Sequence, residues 1–171
     1  VIHIEHPSLG DPGRGTSIHA DIPATSPYFE TMNRGKRSIT LNLQSDEGRD
    51  VFYRMATNAD IIVQNFRHGA AGRMKIDYES VVRFNPNIIY CSITGFGSDG
   101  PDAADGVYDL IGQARSGFLR MMALPDTTVR YQVEPGLGDQ IGAIYASQAI
   151  LWAVITRERY GVGQHVEVSQ L

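Results

Sequence analysis

The sequence predicts an α/β fold: a mainly parallel sheet flanked by helices. Short runs rich in β-branched and apolar residues alternate with stretches of helical periodicity. Such alternation is how a parallel sheet with crossover helices reads in a sequence. The chain has 171 residues, 42% of them hydrophobic, which is enough for one domain with a real core.

The first strand is expected at Val1–Glu5, and the Gly, Pro, Ser and Thr content of Gly10 to Tyr28 predicts an exposed loop. A second strand follows at Ser38–Leu43. The helix expected over Asp46–Asn58 carries Val51, Phe52, Met55 and Ala56, with Ser45 placed as its N-cap. Strands at Asp60–Gln64 and Asn87–Thr94 bracket a short helix over Tyr78–Phe84, which stops before Asn85-Pro86. A further helix is expected from Val107 to Leu119, and another after Asp139. This last one carries the apolar run Ile141 to Ile155, apolar on nearly every side, which predicts a buried helix. The final strand is expected at Gln164–Val168.

A net charge of -4 gives no global reason to bind nucleic acid or an anionic membrane. The single Cys91 excludes an internal disulfide and fits a reducing, cytoplasmic setting. Within Ile88-Ile89-Tyr90-Cys91-Ser92-Ile93 it reads as a buried small hydrophobe rather than a reactive thiol. No uninterrupted apolar run reaches bilayer length, and no signal peptide is visible. The chain opens inside one strand-like run and closes just after another, so it reads as a piece of something longer.

Asp139 lies in Gly-Leu-Gly-Asp-Gln at the mouth of the apolar helix, and two readings of it stand side by side. It is a natural N-cap, because its oxygen can accept an orphan backbone N–H. The sharper reading is a nucleophile kept ionised by the helix dipole, with Gly136 and Gly138 letting a carbonyl approach the backbone. The run Gly95-Phe96-Gly97-Ser98-Asp99-Gly100 matches a dinucleotide fingerprint, but Pro101 and further loop residues follow where a helix is required. Its Asp99, with Asp102 and Asp105, also disfavours phosphate. Two basic clusters, Asn33-Arg34-Gly35-Lys36-Arg37-Ser38 and Arg67, Arg73 and Lys75, suggest an anionic ligand, since guanidinium groups suit phosphates; solvated faces are the simpler alternative. Phe66 could meet a nucleobase or fill core. Tyr108-Asp109 could orient a substrate or be a core tyrosine and a first-turn acid. The five histidines show no metal-ligand spacing, so no metal site is expected. No Ser-His-Asp or Cys-His arrangement emerges.

Taken in order and spacing, these segments resemble the class III CoA-transferase (CaiB/BaiF) family. The carrying residues are Val1-Ile2-His3-Ile4-Glu5 with Gly10-Asp11-Pro12, and Asn33-Arg34-Gly35-Lys36-Arg37-Ser38-Ile39-Thr40-Leu41. They continue through Ala59 to Arg67, Asn85-Pro86 to Gly97, Tyr108-Asp109, Gly138-Asp139 and Gly161 to Ser169. The resemblance implies that residues 1–171 are a partial, Rossmann-like large domain, CoA-binding and catalytic, with the small domain, the returning C-terminal segment and the glycine loop absent. It also implies two interlinked subunits in the full-length protein, acyl-CoA and carboxylic acids as substrates, and no tightly bound cofactor.

The resemblance places the family's nucleophile on Asp139. The carboxylate would attack an acyl-CoA thioester, pass through a mixed anhydride to an aspartyl-CoA thioester, and hand CoA to an acceptor carboxylate. Backbone N–H groups at the start of the Asp139 helix are candidate oxyanion donors. Tyr108 and Asp109 fall on the pair flanking the thioester. His6, Leu41, Asn42, Leu43, Gln44, Asn65, Phe66, Arg67 and Arg73 fall on positions lining the CoA adenosine and phosphates. Gln44 and Gly106 stand where lysine occurs in other members. The racemase branch, which acts on 2-methylacyl-CoA, places a histidine at position 108. Tyrosine is a poor general base near neutral pH, since a phenol ionises only around pH 10. Tyr108 therefore favours transfer over racemisation. A noncatalytic CoA-binding fragment is the alternative from another class, and a nicotinamide dehydrogenase would rest on the glycine run alone.

Overall fold

A computed structural model of the chain describes residues 1–15, 26–122 and 136–171. It divides into two compact units, residues 1–54 and 55–171. The sheets are parallel throughout and flanked by helices, as the alternation of elements predicts.

In the first unit, β1 (Ile2–Glu5) pairs in parallel with β2 (Arg37–Thr40), from Ile2 opposite Arg37 to Glu5 opposite Thr40. Their crossover includes a 3₁₀ turn, Pro12–Gly15, and a helix, α1 (Pro27–Asn33). Ser26 caps α1 by accepting from the Phe29 N–H at 3.2 Å, and Pro27 sits where a missing N–H costs nothing. The loop expected from Gly10 to Tyr28 therefore contains a helical turn and ends in a helix; residues 16–25 lie outside the described residues. The second strand stops at Thr40 rather than Leu43, because Asn42 and Ser45 close a turn there (Ser45 N–H to Asn42 C=O, 3.1 Å). Ser45 then caps α2 (Asp46–Ala56) as expected, accepting from the Gly48 N–H at 3.1 Å.

The centre of this unit is the buried Glu5. Arg14 donates to both of its oxygens (2.8 Å each), Ser38 Oγ adds a third bond at 2.6 Å, and the Asp11 N–H a fourth at 3.1 Å. These partners, the Arg14 hydrogen bonds first, hold the Glu5 carboxyl down at about 2. Arg14 also lies over the Phe29 ring at 4.1 Å, which ties α1 to the same centre.

In the second unit, β3 (Ile61–Gln64), β4 (Ile89–Thr94) and β5 (Gln164–Ser169) form a sheet with β4 in the middle. Gln64, Ser92 and Glu167 share one register row, so all three strands present their carboxyl ends at one edge. Burial on both faces explains the unbroken apolar run Ile88 to Cys91, all of it inaccessible. Cys91 is buried as expected, and burial pushes its thiol up. On one face, Tyr78 stacks on His165 (5.1 Å), and His165 Nε2 meets Ser92 Oγ at 2.9 Å. The Tyr90 hydroxyl donates to the Ile76 carbonyl at 2.7 Å.

The connecting helices are α3 (Ala70–Arg73), α4 (Tyr78–Val81), α5 (Asp109–Arg115), α6 (Phe118–Met121) and α7 (Leu137–Tyr160). The helix expected from Val107 to Leu119 is two helices, because Gly117 adopts a left-handed conformation (φ 79) and breaks it. The short helix expected over Tyr78–Phe84 ends its regular turns at Val81.

The expectation of a buried α7 is corrected. Its buried residues are small: Gly142, Ala146 and Ala153. These lie on one stripe, and one sheet can cover only one stripe of a helix. Tyr145 (59% exposed), Leu151 (61%) and Trp152 (69%) face outward. The helix runs antiparallel to the strands. It begins beside Gln170, just past β5, and Arg157 near its end donates to the Asp60 carbonyl at 3.0 Å, at the amino edge of the sheet.

Candidate active site at the carboxyl edge of the sheet

Asp139 occupies the first turn of α7, but it is not the N-cap. Gly136 holds that position with a left-handed backbone (φ 91). Asp109, from the start of α5, does the capping instead. Its Oδ2 accepts from the Gly136 N–H (2.9 Å), and its Oδ1 from the N–H groups of Gly138 (2.6 Å) and Asp139 (3.2 Å). The capping reading of Asp139 is thereby overturned, which frees its carboxylate for other work. These three N–H groups, at the start of the helix expected to supply oxyanion donors, are engaged by Asp109.

The Asp139 carboxylate is solvent-exposed and accepts from the Gln170 side-chain amide. Gln170 is held in turn by its own N–H, which donates to the Thr94 carbonyl at 2.9 Å. Asp139 is thus referenced to the carboxyl ends of β4 and β5, where open α/β sheets bind ligands. Partial burial raises its carboxyl above the ordinary aspartate range, the neighbouring Asp109 charge adds to this, and the Gln170 bond opposes it.

Tyr108 precedes α5 at its N-cap position and is 74% exposed, so it is not a core tyrosine. Its neighbour Asp109 points the other way in chemical terms, into four donors: the three backbone N–H groups and Gln113 Nε2 at 2.7 Å.

Asn65, Phe66 and Arg67 leave the carboxyl end of β3 in a pinned conformation. Asn65 Nδ2 donates to the Ile93 carbonyl (2.7 Å), and Gln64 Oε1 accepts from the Phe66 N–H (2.6 Å). Phe66 is exposed rather than core. A Cβ added at Gly106 would meet the Arg67 guanidinium at 3.6–3.8 Å, so Arg67 passes close to this glycine. Arg73 closes α3 and is also exposed. Gly95 to Gly106 forms turns rather than opening into a helix, in line with the discounted dinucleotide reading. Arg115 secures this loop by pairing with Asp102 and lying over Phe96 at 5.0 Å.

The remaining predicted positions belong to the first unit. His6 is exposed, and its Nδ1 accepts from the Ser8 and Leu9 N–H groups at 3.3 and 3.2 Å. Leu41 and Leu43 are half-buried, while Asn42 and Gln44 are exposed in the turn after β2, with Asn42 Oδ1 accepting from the Gln44 N–H at 3.1 Å. Among the described residues no cluster of His, Cys, Asp and Glu could hold a metal ion. No described helix is long and apolar enough to cross a membrane. Sequence reasoning missed Gln113 and Gln170. The position of Gln170, directly after the last strand, was the signal available for it.

The fold and this edge define a parallel α/β protein with an accessible carboxylate at the carboxyl ends of its strands. The chain belongs to CoA-transferase family III, whose family model matches residues 1–171. It is 38% identical over 169 residues to acetyl-CoA:oxalate CoA-transferase of Acetobacter aceti, covering 99% of this chain and 43% of that protein. It is 36% identical to succinate–glutarate CoA-transferase of Agrobacterium fabrum, covering 100% of this chain and 44% of that protein. Among solved structures it is similar to a CaiB/BaiF family protein from Brucella suis, with a TM-score of 0.91 and 36% identity over 99% of this chain and 45% of that one. The Mycobacterium tuberculosis protein Rv3272 matches with a TM-score of 0.89 and 30% identity, over 99% of this chain and 47% of that one. The chain thus spans under half the length of the relatives it matches.

Proposed function

We propose that this chain carries the nucleophile and part of the CoA-binding surface of an enzyme that moves coenzyme A between carboxylic acids. The observation that supports this most is Asp139. It is an exposed carboxylate in the first turn of α7, oriented by Gln170 and less acidic than an ordinary aspartate. A more basic carboxylate is a better nucleophile, and covalent catalysis divides one hard exchange into easier steps.

In the proposed sequence, an Asp139 oxygen attacks the thioester carbonyl and the C–S bond breaks, leaving a mixed anhydride and CoA thiolate. The thiolate attacks the aspartyl carbonyl and expels the donor as its carboxylate, giving an aspartyl-CoA thioester. An acceptor carboxylate attacks that thioester, and the returning thiolate takes the acceptor acyl group and frees Asp139. Asn65, Phe66, Arg67 and Arg73, with His6 and Leu41 to Gln44, are assigned to the CoA adenosine and phosphates. Tyr108 is assigned to the thioester. Relatives named for oxalate, glutarate and mesaconate make a dicarboxylic acid the first acceptor to try. The full-length protein is taken to be a cytoplasmic homodimer without a tightly bound cofactor.

The test is to incubate the full chain with succinyl-CoA and hydroxylamine and map the product by mass spectrometry. A hydroxamate at Asp139, lost in Asp139→Asn, is the expected result. CoA binding without any adduct would overturn the transferase reading in favour of a binding fragment. Exchange of the α-proton of a 2-methylacyl-CoA in deuterated water, without transfer, would indicate the racemase, a reading that Tyr108 disfavours.

A further inference from the structure

We propose that Asp109 and Gln113 form a positioning pair that sets the first turn of α7 and so aims Asp139, rather than contacting substrate themselves. This rests on the reading of Asp139 as nucleophile and adds to it a residue pair with a different job.

Three observations carry the inference. First, the Asp109 carboxylate is fully committed. Both oxygens accept two hydrogen bonds, Oδ1 from the N–H groups of Gly138 and Asp139, and Oδ2 from the N–H of Gly136 and from Gln113 Nε2. One of those donors is the backbone of Asp139 itself. A carboxylate with all its acceptor sites used has little left to offer a thioester.

Second, Gln113 is 3% exposed, and its Oε1 has no hydrogen-bond partner among the described residues. A buried acceptor left unmet is unusual and calls for a reason. Turning the amide over would set that oxygen against the Asp109 carboxylate. The amide therefore keeps its NH2 on Asp109 at the expense of its own carbonyl. Gln113 lies four residues after Asp109, one helical turn on, so α5 itself holds the pair in register.

Third, Gly138 has no room for a side chain. A Cβ there would lie 2.9 Å from Asp109 Oδ1. The glycine before the nucleophile lets the carboxylate reach the backbone, so the close approach serves Asp109 rather than a substrate carbonyl. The arrangement also brings a negative charge near Asp139, in keeping with its raised carboxyl.

The experiment compares Asp109→Asn and Gln113→Leu with the wild type, each in the full chain. Amide exchange at Gly138 and Asp139 is measured by NMR against Ala146 and Ala153 in the middle of α7. An amide in place of the Asp109 carboxylate must turn an NH2 toward backbone donors. Asp109→Asn is therefore expected to speed exchange at Gly138 and Asp139 about tenfold or more, with the middle of α7 unchanged. Gln113→Leu, which removes one donor and keeps the shape, is expected to move the same amides in the same direction by less. In turnover, both variants are expected to lose kcat while KM for acyl-CoA stays within about twofold. Unchanged exchange at Gly138 and Asp139 in both variants would overturn the pair. So would a raised KM with kcat retained, which is the behaviour of a substrate contact. The exchange measurement stands even if hydroxylamine traps nothing at Asp139, so the two proposals fail separately.

Discussion

Gln170 and Asp139 meet at the carboxyl edge of the sheet, the amide of one donating to the carboxylate of the other. Because Gln170 is also held by the Thr94 carbonyl, the orientation of a helix residue is read from the end of a strand. The bond favours the ionised form of Asp139 and opposes the partial burial and the Asp109 charge that raise its pKa. Replacing Gln170 with leucine is expected to move the Asp139 titration further up. Carboxyl-carbon NMR of the two proteins across acidic pH checks this, and a downward move would refute the assignment.

Gly138→Ala tests the fit between α5 and α7. Alanine for glycine inside a helix ordinarily gains about 1 kcal/mol. Here the new methyl would displace the Asp109 carboxylate from the α7 N–H groups. Each hydrogen bond to a charged acceptor is worth about 1.5–3 kcal/mol. A net loss of stability in urea unfolding is therefore expected, against the helix-propensity trend.

The Glu5 centre makes the first unit sensitive to acid. Its carboxyl titrates at about 2 in the fold and at 4.5 as an ordinary glutamate. A lowered acid stabilises the fold above its unfolded value, and that contribution drains away as pH falls from 4.5 toward 2. The stability difference between wild type and Glu5→Gln should be constant near neutrality and shrink across that window. A difference that grows in acid would contradict the Arg14 and Ser38 bonding.

Tyr90→Phe removes the donor to the Ile76 carbonyl, and both residues are buried. An orphaned buried acceptor costs about 1–3 kcal/mol. A loss in that range, with the sheet retained by circular dichroism, is the expected outcome of denaturant titration.

The strands were legible because their cues are local. Ile88 to Cys91 is apolar without alternation, which is how a strand covered on both faces reads. The Ser45 cap was legible for the same reason. The break at Gly117 was present in the sequence as a glycine, but the apolar residues beyond it kept the expected helix running. The capping of α7 was not legible, since its donors and acceptor are about 30 residues apart in the chain and meet only through tertiary packing. Nor was the exposure of Trp152, because an apolar run records what a helix could bury and not which neighbours stand beside it.

The lone sulfhydryl offers a practical consequence. Cys91 lies in the middle strand of β3–β4–β5 with no accessible surface, and Ile89, Tyr90 and Ser92 beside it are also buried. An alkylating reagent can reach it only when that sheet comes apart. Its modification rate is therefore a built-in gauge of how often the second unit opens, blind to loosening at loops or helix ends.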